Sequence, residues 1–327
     1  MSSKSHFFNQ KSNENSFVLK FRGNNTTVTL PYISTGIYSG VIDWGDGTIV
    51  ANSYANRSHN YIDNLVRTVT ITGDVQGFIG QNNEIILIEN FGNGFVIDQN
   101  TRFGDCGRLN ITATDLPLIT TNSFFQMFEN CTALVFNESV NDWDVSNVTN
   151  FNYALKAPRF SQTLKTWDTS SATSLAFMVN VVNLVDSTLE FNDWDVSNVT
   201  NFSQMFRANN YNKPLNNWQI NTNNNVNMQR MFRDNTTFNQ DISDWNFSKV
   251  TSLSQFMSGK SELNYNPLYY DNLLIKWALD PSLGGLTANS IGSAISMGTI
   301  KYTSAGASAR QSIIDNKGVT LTDGGQV

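Results

Sequence analysis

The sequence predicts an α+β protein in which an N-terminal β-sandwich precedes a leucine-rich-repeat solenoid with a C-terminal α/β cap. Three observations predict it. Short alternating apolar stretches fill the N-terminal part, tryptophans then recur at a nearly fixed interval, and helical apolar spacing follows each tryptophan. The predicted units are a flexible or docking arm at 1–14, the sandwich at 15–79, the solenoid at 80–262 and the cap at 263–327.

The repeat is the most specific feature of the sequence. Trp143, Trp167, Trp194, Trp218 and Trp245 follow one another at intervals of 24, 27, 24 and 27 residues. A period in the twenties is typical of leucine-rich repeats, which stack one strand and one short helix per unit. The sequence therefore predicts five stacked units, with a degenerate unit before the first tryptophan.

Within each unit the apolar spacing changes after the tryptophan. The alternation of Trp194 and Val196 predicts a strand with both side chains on one face. Apolar residues three and four apart then follow at Phe202, Met205 and Phe206, which predicts one or two helical turns. Thr200, and Thr251 in the last unit, are expected to cap these turns.

The tryptophans and the polar residues beside them are expected to face opposite ways. The tryptophans occupy the inward position of the repeat, so we expect a buried column; a stacking platform for a ligand is the alternative. The outward residues predict a polar surface that binds a ligand, and an ordinary solvated surface is the other interpretation. The candidate binding residues are Asp142, Asp144, Asp168, Asp193, Asp195, Gln219, Asp244 and Asn246.

Carboxylates repeated at the rung spacing of about 4.8 Å repel one another unless something compensates. Exposure to water, side-chain hydrogen bonds along the ladder, or a Ca²⁺ ion would each do so. No other cofactor and no metal site is predicted. A glycosidase using Asp142 and Asp144 is a further alternative, but an open sheet offers no desolvated pocket for a proton donor.

The segments DWDVSNVTNFSQMF (193–206) and FNQDISDWNFSKVTSLSQFM (238–257) resemble the repeats of BspA-like leucine-rich surface proteins. The resemblance covers roughly residues 110–260. It implies a non-enzymatic surface protein of a bacterium or a phage. Two units depart from the pattern, at Thr169 and Ala172 and at the Asn-rich run 221–225.

The N-terminal part alternates short apolar stretches with turn residues. The segment DWGDGT (43–48) predicts a tight hairpin turn, and TVTITG (68–73) predicts a strand. Together with His59 and Tyr61 these segments resemble the PKD-like β-sandwich, in which Trp44, His59 and Tyr61 would be packing residues. A catalytic or metal role for His59 with Asp43 and Asp46 is the alternative interpretation.

The C-terminal part has a different pattern from the repeats. Residues 266–279 and 307–317 have helical spacing, and GTIKYT (298–303) and VTLTD (319–323) are expected to be strands. The segment is expected to cover the exposed edge of the last repeat. Cys106 and Cys131 lie in segments that align, FGDCGRL and FENCTAL, so we expect two buried free thiols on neighbouring rungs; a disulfide is the alternative.

Composition limits the classes of function. Charged residues make up 15% of the chain and the net charge is −6, which argues against nucleic-acid binding. No apolar run reaches the length of a membrane span. The first residues lack the apolar middle of a secretion signal, which favours a virion protein over an exported one.

The leading functional hypothesis is a non-enzymatic virion attachment protein: a phage fibre, a decoration protein or an adhesin located on the virion surface. The arm or the sandwich would contact other virion proteins, and the polar surface would bind a host glycan or host protein. A homo-oligomer is left open. The alternatives are an extracellular adhesin on a bacterial cell surface and a carbohydrate-active enzyme.

Overall fold

The computed structural model of the protein describes residues 15–23, 26–156, 162–180, 188–280 and 294–327. The arm predicted at residues 1–14 lies outside the described residues. The described residues contain sixteen short strands and two α-helices, α1 (Pro267–Leu279) and α2 (Ser304–Lys317). The strands are β1 (Phe17–Phe21), β2 (Thr27–Thr29), β3 (Tyr32–Tyr38), β4 (Val41–Asp43), β5 (Ile49–Ala51), β6 (Ser58–Asn60), β7 (Arg67–Ile71), β8 (Val75–Phe78), β9 (Ile85–Asn90), β10 (Phe95–Ile97), β11 (Asn110–Ile111), β12 (Leu118–Ile119), β13 (Val226–Asn227), β14 (Val250–Ser252), β15 (Ile295–Ser296) and β16 (Leu321–Thr322).

The N-terminal part forms two main sheets with a common core. The larger has the order β11-β9-β1-β7-β4-β5 and the smaller the order β12-β10-β8-β3, while β2 and β6 pair separately. Phe17 of the larger sheet stacks on Phe95 of the smaller at 4.4 Å between ring centroids and meets Phe78 edge-on at 5.6 Å. This arrangement is compatible with the predicted sandwich. The smaller sheet continues past residue 79, because β8 pairs in parallel with β10 and β10 with β12.

The DWGDGT segment forms a hairpin turn between β4 and β5, as predicted. Asp43 accepts a hydrogen bond from Gly45 N (2.9 Å) and Asp46 from Thr48 N (3.0 Å). His59 stacks on Trp44 with 5.1 Å between centroids and contacts Asp46 at 2.8 Å. His59 is therefore held by ring packing and by an acid of the turn.

The predicted leucine-rich-repeat solenoid is wrong. Between β12 and α1 the described residues contain two short strands, β13 and β14, and one 3₁₀ helix, Glu138–Asp142, and no α-helix. The Trp-x-Val segments form no strand, and the segments predicted as short helices, such as 202–206, are consecutive turns. The two helices of the described chain both follow the repeats. The repeats thus share a period with leucine-rich repeats but not the strand and helix of each unit.

A left-handed residue in every repeat explains why no helix forms. Gln204 has a φ of +57° and is the third residue of a turn closed by a hydrogen bond from Met205 N to Phe202 O (3.1 Å). A residue with positive φ interrupts an α-helix, since helical residues all have negative φ. The equivalent residues, which also have positive φ, are Gln126, Tyr153, Phe177, Arg230 and Gln255.

Backbone N–H groups of this segment make no helical hydrogen bonds and donate to the next repeat instead. Phe202 N donates to Asn227 O at 2.8 Å, Gln204 N to Gln229 O at 3.0 Å, and Phe206 N to Met231 O at 2.9 Å. Bonds of the same kind start from Phe124, Phe151, Leu175 and Met228. Single parallel bridges run through the same segment and join Ser123 to Asn150, Asn150 to Ser174, Ser174 to Asn201 and Asn201 to Asn227. The repeats are therefore joined by backbone pairing along one segment.

The threonines expected to cap helices have another role. Thr200 Oγ1 donates to Thr173 O of the preceding repeat at 3.2 Å, and Thr251 Oγ1 donates to Val226 O at 3.3 Å. Thr173 Oγ1 donates in the same way to Thr149 O at 3.1 Å. A ladder of hydroxyl groups thus adds to the pairing between repeats.

The prediction of a buried tryptophan column is confirmed. The exposed fraction of the five indoles is 3% or less. Trp167 Nε1 donates to Val140 O at 2.7 Å and Trp194 Nε1 to Leu164 O at 2.9 Å; Trp218 and Trp245 repeat the pattern with Phe191 O and Leu215 O. Each indole thus fills the core and also binds the preceding repeat. Trp143 is the first of the series, and in the described part of the chain its Nε1 has no partner.

The C-terminal segment packs on the last repeat. Gln255 N donates to Ala294 O and Met257 N to Ser296 O, so the segment that contains β15 continues the pairing. Trp277 of α1 meets Phe247 edge-on at 5.7 Å. The expected strand at 298–303 is wrong, because Thr299 and Tyr302 make only single bridges there. The expected strand at 319–323 is confirmed by β16, which pairs with β15.

Three titratable side chains, one lysine and two cysteines, are buried in or beside the repeats. Lys260 is 1% exposed, and its Nζ donates to Asn235 O and Phe238 O, both at 2.6 Å. Burial lowers the pKa of this ammonium group to about 7. Cys106 and Cys131 are buried free thiols, as expected, and burial raises the pKa of both.

The left-handed turn generates a first prediction. Replacing Gln204 with valine should destabilise the protein by about 1–2 kcal/mol relative to Gln204→Gly, because a β-branched side chain is strained at positive φ whereas glycine is not. Urea unfolding would measure the difference. Gln229→Val is the control, compared with Gln229→Gly, since Gln229 precedes the left-handed Arg230 and is not a positive-φ residue. An equal loss of stability at Gln229 would contradict the explanation.

The indole hydrogen bonds generate a second prediction. Trp167→Phe should cost about 1 kcal/mol more than Trp143→Phe, since only the first removes a made hydrogen bond. Both side chains are 3% exposed, so the loss of ring volume is matched. Thermal and urea unfolding of the two variants would measure it, and equal losses would show that the bond to Val140 O adds nothing.

Candidate ligand-binding surface

The residue that follows most of the tryptophans forms a local turn with its side chain. Asp144 Oδ1 accepts from Ser146 N at 3.1 Å and from Ser146 Oγ at 2.6 Å. The same bond to the serine N–H is made by Asp168 (3.0 Å), Asp195 (2.9 Å) and Asn246 (2.8 Å). This side-chain turn explains why Asp and Asn occupy the position. In the fourth repeat the position is Gln219, and Asn221 makes the turn instead, to Asn223 N at 2.8 Å.

These hydrogen bonds also stabilise the charge of the acids. The Ser146 hydroxyl and N–H hold the pKa of Asp144 below its ordinary value of 3.8, and Ser170 does the same for the pKa of Asp168. A carboxylate that accepts hydrogen bonds stays ionised more readily. The repulsion expected between the neighbouring Asp144 and Asp168 is thus offset by the bonds within their turns. Among the described residues no group of three or more His, Cys, Asp or Glu could hold a metal ion, so the structure offers the considered Ca²⁺ no acidic cluster.

All eight predicted site residues are exposed, but the structure brings only three of them together. Asp193, Asp195 and Gln219 line an open groove of about 460 Å³ between the third and fourth repeats. Asn246 lines a separate hollow with Lys276. The others lie on repeats outside this groove: Asp142, Asp144, Asp168 and Asp244. The expected continuous polar sheet is also wrong, since no strand ladder runs through the Asp positions.

Two asparagines position the groove. Asn192 Oδ1 accepts from Asn217 N at 3.0 Å, which ties the third repeat to the fourth. Asn217 Nδ2 donates to Asp193 Oδ1 at 3.3 Å, which fixes one oxygen of that carboxylate. Sequence reasoning missed Asn192, although the triplet Asn-Asp-Trp occurs twice, at 141–143 and 192–194.

A smaller pocket of about 210 Å³ adjoins the groove and shares Asn192 and Asp193 with it. Lys213 Nζ lies 3.3 Å from Glu190 Oε1, and both side chains line the pocket. Sequence reasoning missed this pair because it falls between repeats, where the period carries no information. The groove and pocket together offer carboxylates, amides and one ammonium group as hydrogen-bonding partners.

The side-chain turns generate a third prediction. Asp144→Ala should destabilise the protein by about 1 kcal/mol, because it removes two hydrogen bonds to Ser146. Asp142→Ala is the matched control beside the same tryptophan, and it should be neutral. The pKa of Asp144 is lowered in the folded state, so its contribution is present above pH 3.8 and is lost as the pH falls through the folded pKa. Urea unfolding at pH 7 and pH 3 would measure both effects; equal costs for the two variants at pH 7 would contradict them.

Within the described ranges, no helix is long and apolar enough to cross a bilayer.

The comparisons with known proteins identify the repeats but no function. No curated protein and no solved structure matches the chain. A family model described as "Mycoplasma protein of unknown function, DUF285" matches three overlapping stretches, 96–190, 121–226 and 179–273. That description names no phage protein, so the predicted phage origin gains no support from it. The matches start at β10 and end within α1, and they cover more than half of the 327 residues. The chain therefore belongs to the DUF285 family.

Proposed function

We propose that the protein is a non-enzymatic recognition protein that binds a neutral glycan in the groove between its third and fourth repeats. The observation that carries the proposal is the convergence of Asp193, Asp195, Asn217 and Gln219 on one open groove. Carboxylates accept hydrogen bonds from the hydroxyl groups of a sugar, and side-chain amides both accept and donate them. A ligand in this groove would contact two repeats at once.

The rigidity of the groove supports the proposal. Asp195 is held by Ser197 N at 2.9 Å, and Asp193 by Asn217 at 3.3 Å. The backbone beneath them is fixed by the buried Trp194 and Trp218. Polar groups that are already ordered lose less entropy when a ligand binds.

The surface chemistry favours binding over glycoside hydrolysis. A glycosidase needs one carboxylic acid whose pKa is raised so that it can donate a proton. Asp142 and Asp144, the pair considered for this role, are both exposed, and the pKa of Asp144 is lowered rather than raised. An acid in this state is suited to accept hydrogen bonds.

Display on a surface completes the proposal. The repeats of a BspA-like surface protein, which this sequence resembles, would place the groove where it meets a host glycan. Whether the surface belongs to a virion or to a cell stays a prediction, as do the partners of the arm and of the sandwich. Mass spectrometry of purified virions and of cell-surface fractions would separate the two.

The test measures binding of the full chain to a panel of neutral oligosaccharides by glycan array, followed by calorimetry. Asp193→Ala and Gln219→Ala should each weaken binding about tenfold, which corresponds to about 1.4 kcal/mol. Asp142→Ala is the matched control, because Asp142 holds the same place in the first repeat outside the groove. Absence of binding to the panel, equal loss in the control, or release of shortened glycan would overturn the proposal.

A further inference from the structure

A second surface is formed by the left-handed residues of the turns, and none of them lines the groove. We call it the left-handed column: Gln126, Tyr153, Phe177, Gln204, Arg230 and Gln255. These side chains are all partly exposed. Because the backbones of the column pair like parallel strands, successive side chains recur about every 4.8 Å. The column therefore presents a regular row of groups to a linear ligand.

The first part of the column is aromatic, and its two rings cover one face of each other. Tyr153 and Phe177 stack with 4.5 Å between centroids and 9° between planes. Phe125 meets Tyr153 edge-on at 5.9 Å, and Lys156 Nζ lies 5.4 Å from the Tyr153 centroid. The faces that the two rings turn towards each other are therefore closed to a ligand. The edge of an aromatic ring carries partial positive charge, so it favours an anionic group.

The second part of the column is cationic and rich in donors. Arg207 Nη1 donates to Gln204 Oε1 at 3.1 Å, while Arg230 Nε and Arg233 Nη1 both donate to Gln255 Oε1 at 2.8 and 3.0 Å. The glutamine oxygens are thus used within the protein, which leaves the amide nitrogens to donate outwards. A surface of guanidinium and amide donors selects a ligand rich in acceptors.

The charge of this surface differs in sign from that of the chain. Four positive charges lie on this surface, those of Lys156, Arg207, Arg230 and Arg233. Two carboxylates pair with them: Glu129 lies 2.7 Å from Lys156, and Asp234 lies 3.2 Å from Arg233. The surface is therefore net positive, although the net charge of the chain is −6. A cationic stripe on an acidic protein concentrates a polyanion at one place.

We propose that the left-handed column binds a linear polysaccharide that carries carboxylate groups. A guanidinium group matches a carboxylate in bidentate geometry, and the glutamine amides would donate to the intervening ring and hydroxyl oxygens. Single-stranded nucleic acid fits less well, because it binds by stacking bases on open aromatic faces. The stacked faces of Tyr153 and Phe177 are already occupied by each other.

The test measures binding of the full chain to polygalacturonate by calorimetry at low salt, with neutral dextran as the comparison ligand. Binding to polygalacturonate is expected, and Arg230→Gln with Arg233→Gln should weaken it at least tenfold. Any binding of dextran in the groove should not change in this double variant. Lys165→Gln with Lys249→Gln is the charge-matched control, since both lysines are exposed and lie in the tryptophan half of their repeats; it should change affinity less than twofold.

Unfolding temperatures of both double variants are compared first, and Arg207→Gln alone replaces the arginine pair if that pair fails to fold. Absence of polygalacturonate binding, or equal loss in the lysine control, would overturn the inference. The inference would also be overturned if a single-stranded oligonucleotide bound as tightly as polygalacturonate and the same arginine substitutions abolished that binding. The neutral-glycan groove is independent of this result, because Asp193→Ala should leave polygalacturonate binding unchanged.

Discussion

The pairing of backbone N–H groups with the carbonyls of the next repeat is the constraint on which the rest of the structure depends. It requires a left-handed residue, such as Gln204, in each turn, and it forbids the intrarepeat bonds of a helix. The threonine hydroxyls and the indoles bond in the opposite direction, since each donates to the repeat before it. Stability is thus a property of neighbouring repeats taken together, as in other repeat proteins.

This constraint also sets what the surface can present. Where the backbone turns after four of the five tryptophans, an Asp or Asn accepts from a serine N–H, so acids and amides are exposed there for structural reasons. Where the repeats pair, the side chain of the left-handed residue is not needed to close a turn. Aromatic, amide and guanidinium groups therefore occur at that position. One repeat unit therefore produces two chemically different surfaces, one acidic and one cationic.

Sequence reasoning predicted the burial of the tryptophans and the exposure of the eight polar candidates, because the period places each residue type in a fixed register. It failed for the segments 202–206 and their equivalents. Phe202, Met205 and Phe206 have helical spacing, but successive turns place the same residues inward. Nothing in the identities of Gln204, Tyr153 or Arg230 indicates positive φ, which is usual for glycine. The groove could not be predicted from the sequence either, because it depends on contacts between repeats, such as that of Asn192 with Asn217.

The buried ammonium group of Lys260 couples the last repeat to proton release. In the folded chain its pKa is about 7, against an ordinary value of 10.5, so folding near pH 8 or 9 expels a proton that the unfolded chain retains. Stability at this end of the molecule therefore increases as the pH rises from about 7 to 10.5 and gains nothing from this lysine in acid. Alkaline surroundings would thus tighten the junction between the repeats and the C-terminal helices.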